Sequence, residues 1–173
     1  YKKTLPVIFA DNLAEKASVD FENLAFSGAT SDDLIKTQLE KAIKLKPDYV
    51  TLFIGTNDIH NLTSTERYKE NMTYILDKLL NETRAKIIVF NLPYLGSENL
   101  ISPPYKVFFD VRIREFNAIL ENICAGRNVT LIDLYTPTKE NFSKNANFYS
   151  ADEFHPSSEG YMLWGSLLKD KNF

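Results

Sequence analysis

The sequence predicts an α/β fold with a parallel sheet and helices on both of its faces. Short apolar runs that are typical of buried strands alternate with longer segments whose apolar residues recur every three or four positions. Strands that alternate with helices in this way form βαβ units, which place parallel strands side by side. A chain of 173 residues without an internal repeat or a linker is most simply a single domain over 1–173.

Four segments are predicted to form strands. Three of them, at 50–54, 87–90 and 129–132, are short and nearly continuous apolar runs. Such runs, rich in β-branched and aromatic residues, are typical of strands that are buried on both faces of a sheet. The fourth segment, at 18–26, is a weaker candidate that would come first in the chain.

Helical periodicity occurs between the predicted strands and at both ends of the chain. The longest helix is expected where five apolar residues recur in alternating steps of four and three. Gly126 follows it as a C-terminal cap, and a capping-box sequence at 30–33 begins another helix. The predicted helices are the opening stretch from Leu5 and the segments 31–45, 64–82, 106–125 and 157–169.

One long stretch, at 93–105, has no regular pattern and contains three prolines and a glycine. Loops of this length in compact domains are usually lids or binding loops, or they are simply mobile. The sequence leaves both interpretations of this loop open.

Composition and charge exclude several classes of function. The 20 basic and 23 acidic residues give a net charge of −3, whereas nucleic-acid binding needs a clustered surplus of basic residues. No apolar run approaches the ~18 residues of a membrane span. Cys124 has no partner for an internal disulfide, and His60 and His155 are too few for a histidine-rich metal site. We therefore expect no nucleic-acid partner, no membrane span in this segment, no metal and no cofactor.

Polar loop sequences follow the predicted strands, at the sheet edge where ligands bind in open α/β folds. Gly28 follows the first predicted strand, and Asn57 follows the second. Asp152 and His155 come at a distance after the last strand. Each feature also has a structural interpretation, because Gly28 suits a turn before a helix cap and Gly-Thr-Asn-Asp is ordinary turn chemistry.

The Asp152-x-x-His155 sequence has the residue types that hydrolytic catalysis uses. A carboxylate that holds Nδ1 of a histidine leaves Nε2 free to take a proton from a nucleophile and to return it to the leaving group. One alternative is a surface turn that ends at Pro156, with His155 capping the final helix. Another is a contribution to a metal site, which is less favoured because no second histidine or cysteine lies nearby in the sequence.

Together these sequences resemble the motifs of one enzyme family, in the family's order. The segment 23–30, which contains Gly28, is similar to the block with the oxyanion-hole glycine. The segment 55–58, which contains Asn57, is similar to the block with the oxyanion-hole asparagine, and the segment 152–156 to the block with the catalytic aspartate and histidine. The chain thus resembles the SGNH hydrolases, also called the GDSL esterase/lipase family, over nearly its whole length.

The resemblance implies a flavodoxin-like three-layer α/β/α fold and metal-independent hydrolysis of carboxylic esters. His155 would be the general base, held by Asp152, while the backbone N–H of Gly28 and the side chain of Asn57 would meet the oxyanion. The family's nucleophilic serine belongs to a Gly-Asp-Ser block, which does not occur in the 173 residues. We therefore expect this segment to lack its start, the serine to lie upstream of Tyr1, and residues 1–173 alone to be inactive.

The family's first strand lies between the strands placed here at 18–26 and 50–54. Direct pairing of those two segments would favour a non-catalytic alternative, either a flavodoxin-like binding domain or a pseudoenzyme that lacks the nucleophile. The substrate stays open among lysophospholipids and other lipids, short acyl esters and acetylated sugars, and so does the oligomeric state. Tyr94, Leu95 and Tyr105 of the irregular loop, together with the turn that holds Ile59 and His60, are expected to wall the acyl or alcohol site.

Five Asn-x-Ser/Thr sequons occur in the chain. They prove neither glycosylation nor secretion. The habit of the family favours a secreted or cell-envelope location.

Overall fold

The computed structural model of the chain describes residues 4–97, 99–142, 144–168 and 171. Within these residues three strands and eight α-helices are formed, with a short 3₁₀ turn at Ala146–Phe148. In chain order the elements are α1 (Leu5–Ala14), α2 (Ser31–Thr37), α3 (Leu39–Lys44), β1 (Tyr49–Leu52), α4 (Thr56–His60), α5 (Thr65–Glu82), β2 (Lys86–Phe90), α6 (Tyr105–Cys124), β3 (Val129–Ile132), α7 (Tyr135–Phe142) and α8 (Ser158–Ser166).

The three strands form one parallel sheet in the order β1-β2-β3. Val50 of β1 is in register with Ile87 of β2, and Ile88 of β2 is in register with Thr130 of β3. The apolar residues of β2 are buried on both faces, whereas β1 and β3 are mostly half-buried because they are the outer strands of this sheet. The α/β fold class and the three main strand predictions are confirmed.

The fourth predicted strand, at 18–26, is wrong. These residues form neither a helix nor a strand, and the sheet does not include them. The side chains of Phe21 and Phe26 are 42% and 50% exposed, so the apolar residues that suggested a strand are not drawn into the core. A strand also needs a ladder of backbone hydrogen bonds to a neighbouring strand, and the sheet in the described part of the chain does not include residues 18–26.

The predicted helices are confirmed as α1, α5, α6 and α8, and one prediction is corrected. The segment predicted as a single helix at 31–45 forms two helices, α2 and α3, because the φ of −116° at Gln38 interrupts the helical geometry between them. The sequence does not predict α4 and α7. Both are short and have little apolar periodicity, so they depend on packing rather than on helix propensity.

The described residues divide into two compact units. The first consists of those within Tyr1–Asn23, Pro93–Asp110 and Leu134–Phe173, and the second of those within Leu24–Leu92 and Val111–Asp133. The single domain expected from the length stays a prediction. No helix in the described part of the chain is both long and apolar enough to cross a membrane.

In the first unit, α8 packs against α1 and α7. Gly165 of α8 approaches α1 so closely that a Cβ atom on it would lie 2.5 Å from Cγ2 of Ile8. The indole N–H of Trp164 donates to the hydroxyl of Thr138 at 2.8 Å, and its ring stacks on Phe142 with the centroids 6.0 Å apart. These contacts hold α8, which directly follows the loop with the predicted Asp-His pair.

In the second unit, α2 and α3 pack on α5. Tyr68 of α5 is fully buried and stacks on Phe116 of α6, with the ring centroids 4.1 Å apart. The side chains of β2 complete this core. The loops with Gly28 and Asn57 belong to this unit.

Candidate active site

The loop between the 3₁₀ turn and α8 carries Asp152 and His155. An antiparallel bridge between Tyr149 and Pro156 closes its base. Inside the loop, the N–H of Ser150 donates to the carbonyl of His155 at 2.8 Å. These bonds fold the loop back on itself, so that the side chains of Asp152 and His155 meet.

The carboxylate of Asp152 accepts four hydrogen bonds. One oxygen accepts the hydroxyl of Ser150 at 2.7 Å and the backbone N–H groups of Phe154 and His155 at 2.9 Å each. The other oxygen lies 2.7 Å from Nδ1 of His155. The bond with the imidazole, followed by the two backbone bonds and the Ser150 hydroxyl, holds the pKa of Asp152 well below its usual range. The carboxylate is therefore ionised and fixed in orientation at neutral pH.

The ring of His155 is oriented through Nδ1. Its side chain is 64% exposed, and the ring of Phe154 packs against it edge-on with the centroids 5.1 Å apart. A carboxylate at Nδ1 selects the tautomer in which Nε2 accepts a proton. The pair is therefore equipped to take a proton from a nucleophile.

Gly160 allows α8 to approach this loop closely. A Cβ atom on Gly160 would collide with the carbonyl oxygen of Phe148, and it would lie 2.8 Å from Cζ of Phe142 and 3.0 Å from Cβ of Pro156. Ser157 caps α8 at the same place by accepting the N–H of Gly160 at 3.2 Å. A larger residue at Gly160 would push the helix and the loop apart, and no sequence signal points to this role.

Gly28 occupies a tight turn in the second unit. The N–H of Ala29 donates to the carbonyl of Phe26 at 3.4 Å, and the φ of Gly28 is +83°, the value typical of the third position of a type II turn. Nothing lies within 4 Å of the position that a Cβ atom would take. The backbone conformation therefore favours glycine here, and the exposed backbone can approach a ligand closely.

Asn57 lies in the first turn of α4. Its side-chain amide donates to the carbonyl of Ala29 at 2.9 Å, which connects Asn57 to the residue after Gly28. An amide nitrogen carries two hydrogens, so one can hold this bond while the other is directed at a ligand oxygen. The structure therefore brings the Gly28 turn and Asn57 together.

Gly55 forms the turn that presents Asn57. Its φ is +128°, in the region that other residues rarely adopt. A Cβ atom on it would lie 2.7 Å from the hydroxyl of Tyr68, which donates to the carbonyl of Ile54 at 3.1 Å. A fully buried tyrosine thus supports the turn from the core.

Asp58 is a buried acid that sequence reasoning does not single out. Its side chain is fully buried, and it accepts the backbone N–H and the hydroxyl of Ser31 at 2.8 Å and 2.5 Å. Burial raises the pKa of Asp58, and the two bonds from Ser31 oppose that rise. In its local sequence Asp58 looks like an ordinary turn residue, because Ser31, which bonds it, lies 27 positions away in the chain.

The irregular loop at 93–105 is bonded to the loop that carries His155. The N–H of Ser97 donates to the carbonyl of Glu153 at 2.9 Å, and its hydroxyl donates to the Glu153 carboxylate at 2.8 Å. The hydroxyl of Tyr149 donates to the carbonyl of Gly96 at 2.8 Å. Sequence reasoning does not identify the bond between Ser97 and Glu153, because the two residues lie 56 positions apart in the chain.

A buried cation also orders this loop. Lys106 is 6% exposed, and its ammonium donates to the carbonyl of Gly96 at 2.6 Å and lies 4.4 Å from the centroid of the Tyr94 ring. Of the residues expected to wall a substrate site, Leu95 is buried and Tyr105 is 67% exposed. Their contact with a substrate stays a prediction.

The structure therefore assembles the four predicted site residues as two pairs. Asp152 and His155 lie together in the first unit, and Gly28 and Asn57 lie close together in the second. That all four face one pocket, and that they have the predicted catalytic roles, stay predictions. Among the described residues, no three His, Cys, Asp or Glu side chains are grouped so that they could hold a metal ion.

Comparison with solved structures finds several that share this fold. The acetylxylan esterase Axe2 from Geobacillus stearothermophilus is 23% identical, with a TM-score of 0.64 over 85% of this chain and 69% of that one. A member of the lipolytic protein G-D-S-L family from Veillonella parvula is 21% identical, with a TM-score of 0.70 over 90% of this chain and 81% of that one. Two further matches are catalytic mutants of Axe2, in which alanine replaces a histidine and a serine respectively.

No curated protein sequence matches the chain. The family model described as "GDSL-like Lipase/Acylhydrolase family", in contrast, matches residues 2–163, which is most of the chain. This match agrees with the resemblance of the three sequence blocks and with the α/β fold. The chain therefore belongs to the GDSL-like lipase/acylhydrolase family.

Proposed function

We propose that this protein is a serine-dependent carboxylic ester hydrolase in which His155 is the general base and then the general acid, and Asp152 orients it. The observation that carries the proposal is the 2.7 Å contact between the Asp152 carboxylate and Nδ1 of His155. Three further hydrogen bonds hold the same carboxylate. Acyl transfer by a serine needs an oriented imidazole of this kind, and membership of the acylhydrolase family supports the same reaction class.

In the proposed reaction a serine hydroxyl attacks the carbonyl carbon of the ester. Nε2 of His155 takes the hydroxyl proton as the new C–O bond forms, and it returns that proton to the leaving alcohol as the old C–O bond breaks. A water molecule then repeats both steps on the acyl-serine, which releases the carboxylic acid and restores the serine. Asp152 stays ionised throughout and stabilises the imidazolium, consistent with a pKa well below the usual range.

The backbone N–H of Gly28 and the side-chain amide of Asn57 are proposed to meet the oxyanion of the tetrahedral intermediate. The support is their closeness, since Asn57 donates to the carbonyl of Ala29 at 2.9 Å. Both donors are held before the reaction begins, so they need no reorganisation as charge develops. Loss of one such donor typically lowers kcat ~10²–10³-fold.

The nucleophilic serine is proposed to come from a segment upstream of Tyr1. The 173 residues contain no Gly-Asp-Ser sequence and no Gly-x-Ser-x-Gly sequence. In Axe2, a catalytic mutant replaces a serine, so a serine of that kind is the group to seek. Residues 1–173 alone are accordingly expected to lack esterase activity.

Acetylated sugars are the first substrates to test, because Axe2 is an acetylxylan esterase. Short acyl esters and lysophospholipids are the other candidates. A small chromogenic acetyl ester is cleaved by the reaction that all three classes share, and it needs few contacts with the walls of the site. Acetylated xylo-oligosaccharides, longer acyl esters and lysophospholipids then separate the substrate classes.

The decisive experiment uses a longer chain that carries the upstream serine. We expect this chain to hydrolyse the chromogenic acetyl ester, and His155→Ala to lower kcat roughly 10⁴-fold or more. Asn57→Ala should lower kcat ~10²–10³-fold without unfolding the protein. Glu121→Ala replaces an exposed side chain of α6 and is the control, with turnover close to that of the wild type. A longer chain with no hydrolysis, or with equal activity in His155→Ala and Glu121→Ala, would contradict the proposal.

A further inference from the structure

Asp58 and Ser31 form a buried hydrogen-bonded pair next to the two turns of the proposed oxyanion site. Both residues are 0% exposed. The N–H of Ser31 donates to one carboxylate oxygen at 2.8 Å, and its hydroxyl donates to the other at 2.5 Å. The side-chain amide of Asn71 donates to the same hydroxyl oxygen at 2.9 Å. A carboxylate in the core is costly unless its oxygens accept such bonds, and Ser31 supplies one to each oxygen.

This pair connects the two segments that carry the proposed oxyanion donors. Ser31 lies three positions after Gly28, and Asp58 directly follows Asn57. A second bond, from the Asn57 amide to the carbonyl of Ala29 at 2.9 Å, connects the same segments at another point. One bond leaves two segments free to rotate about it, whereas connections at two separate points fix both their distance and their relative rotation.

We propose that Asp58 is a positioning residue, which holds the Gly28 turn against Asn57 and thereby sets the spacing of the two oxyanion donors. The inference rests on the proposed function, because this spacing matters where an oxyanion forms between the donors. Donors that are fixed in advance need no reorganisation in the transition state. A misplacement of about 1 Å lowers the rate about 10²-fold. Asp58 is fully buried, so it acts through its neighbours and not on the substrate.

A carboxylate suits this position because Ser31 presents two donors to it. In Asp58→Asn, one oxygen is replaced by an NH₂ group, which donates and cannot accept. That group would face either the N–H of Ser31 or its hydroxyl, whose oxygen already accepts the amide of Asn71. The substitution therefore weakens the connection between the turns while it keeps the volume of the side chain.

The test compares three variants of the longer chain that carries the serine. Asp58→Asn should lower kcat for the chromogenic acetyl ester roughly 10–10²-fold with little change in KM, because the donors act in the transition state. Ser31→Ala keeps the backbone N–H bond to Asp58 and should lower kcat less than Asp58→Asn does. Asp48→Asn makes the same chemical change at an exposed position before β1, so it is the control and should keep the wild-type kcat. Equal losses in Asp58→Asn and Asp48→Asn would overturn the inference.

A double-mutant cycle with Asn57→Ala separates positioning from general destabilisation. In Asn57→Ala one of the two donors that Asp58 is proposed to position is already absent. Adding Asp58→Asn to that variant should therefore lower kcat clearly less than Asp58→Asn lowers it in the wild type. Fully additive losses would overturn the inference. If circular dichroism shows that Asp58→Asn is unfolded, the same cycle with the milder Ser31→Ala decides the question.

An NMR measurement separates a failure of this inference from a failure of the proposed function. The side-chain amide signals of Asn57 and the backbone amide signal of Gly28 report the geometry without any turnover. In a protein without esterase activity, shifts of these signals in Asp58→Asn but not in Asp48→Asn would support the positioning role and reject the proposed chemistry. Unchanged signals in Asp58→Asn would reject the positioning role, whatever the activity.

Discussion

The hydroxyl of Tyr68 occupies the space that a side chain at Gly55 would need, since a Cβ atom on Gly55 would lie 2.7 Å from it. The same hydroxyl donates to the carbonyl of Ile54 at 3.1 Å. A fully buried tyrosine of α5 therefore determines the shape of the turn that presents Asn57. The turn that presents Asn57 packs on the core at this point, so its geometry can be tested by measuring the free energy of unfolding.

We expect Gly55→Ala to lower the free energy of unfolding by about 1–3 kcal/mol, because the residue has a φ of +128° and its new Cβ atom would displace Tyr68. Thermal unfolding measures the loss. Gly126→Ala is the matched control: its φ is +75°, but nothing lies within 4 Å of a Cβ atom there. The loss of stability in Gly126→Ala should therefore reflect only the strain of the backbone conformation. Equal stability of the two variants would contradict the role given to Tyr68.

Gly160→Ala should lower kcat about tenfold in the longer chain, because the added methyl group would separate α8 from the loop that carries His155. Steady-state kinetics on the acetyl ester measure this effect. Met162→Ala changes a 53% exposed residue of the same helix and should leave kcat unchanged. A Gly160→Ala variant with the wild-type kcat would show that the loop does not depend on this contact.

Asp152 should stabilise the protein at neutral pH and not in acid. Its pKa is lowered in the folded state, chiefly by the bond with His155, so its contribution is present above the ordinary carboxyl pKa and is lost as the pH falls through the lowered value. Asp152→Asn should be less stable than the wild type at pH 7, and the difference should shrink below about pH 4. Urea unfolding over this range measures it. A difference in stability that stays constant over this range would contradict the lowered pKa of Asp152.

Asp58 should have the opposite pH dependence. Burial raises its pKa, and the nearby charge of Asp32 acts in the same direction, so folding favours the protonated form. That contribution is fully present below the ordinary carboxyl pKa and is lost as the pH rises through the raised value. The stability of the wild type relative to Asp58→Asn should therefore fall as the pH rises from about 4. Relative stability that rises with pH in the same urea series would contradict the raised pKa.

Ser97→Ala should change substrate preference more than it changes the chemistry. It removes the two bonds of the hydroxyl, which donates to Glu153 and accepts the N–H of Leu100, and it keeps the backbone bond to Glu153. The substitution therefore loosens the loop of Tyr94 and Leu95 without detaching it. The ratios of kcat/KM among acetyl, butyryl and octanoyl esters should shift, while kcat for the acetyl ester stays close to the wild-type value. Ser166→Ala, on the exposed side of α8, is the control. Equal losses on all three esters would mean that this loop is structural.

The sequence by itself determined the features that depend on neighbours along the chain. The apolar run at 87–90 predicts a strand that is buried on both faces, and the three-and-four spacing of apolar residues at 64–82 predicts a helix. Both predictions work because the period at which side chains return to the buried face is set by the local geometry of each element. The Asp152-x-x-His155 pair is also local. A loop of four residues can bring that carboxylate and that imidazole to 2.7 Å from one another, so the motif is readable before the fold is known.

Only the tertiary structure decided which distant segments hold the site in place. Ser31 and Asp58 are 27 positions apart, and Ser97 and Glu153 are 56 apart, so no local pattern signals either bond. The strand predicted at 18–26 is wrong for the same reason, because membership of a sheet depends on a ladder to another strand as well as on the segment's own apolar residues. Contacts of this kind are selected by packing across the core, where the geometry of the whole fold decides which side chains can meet.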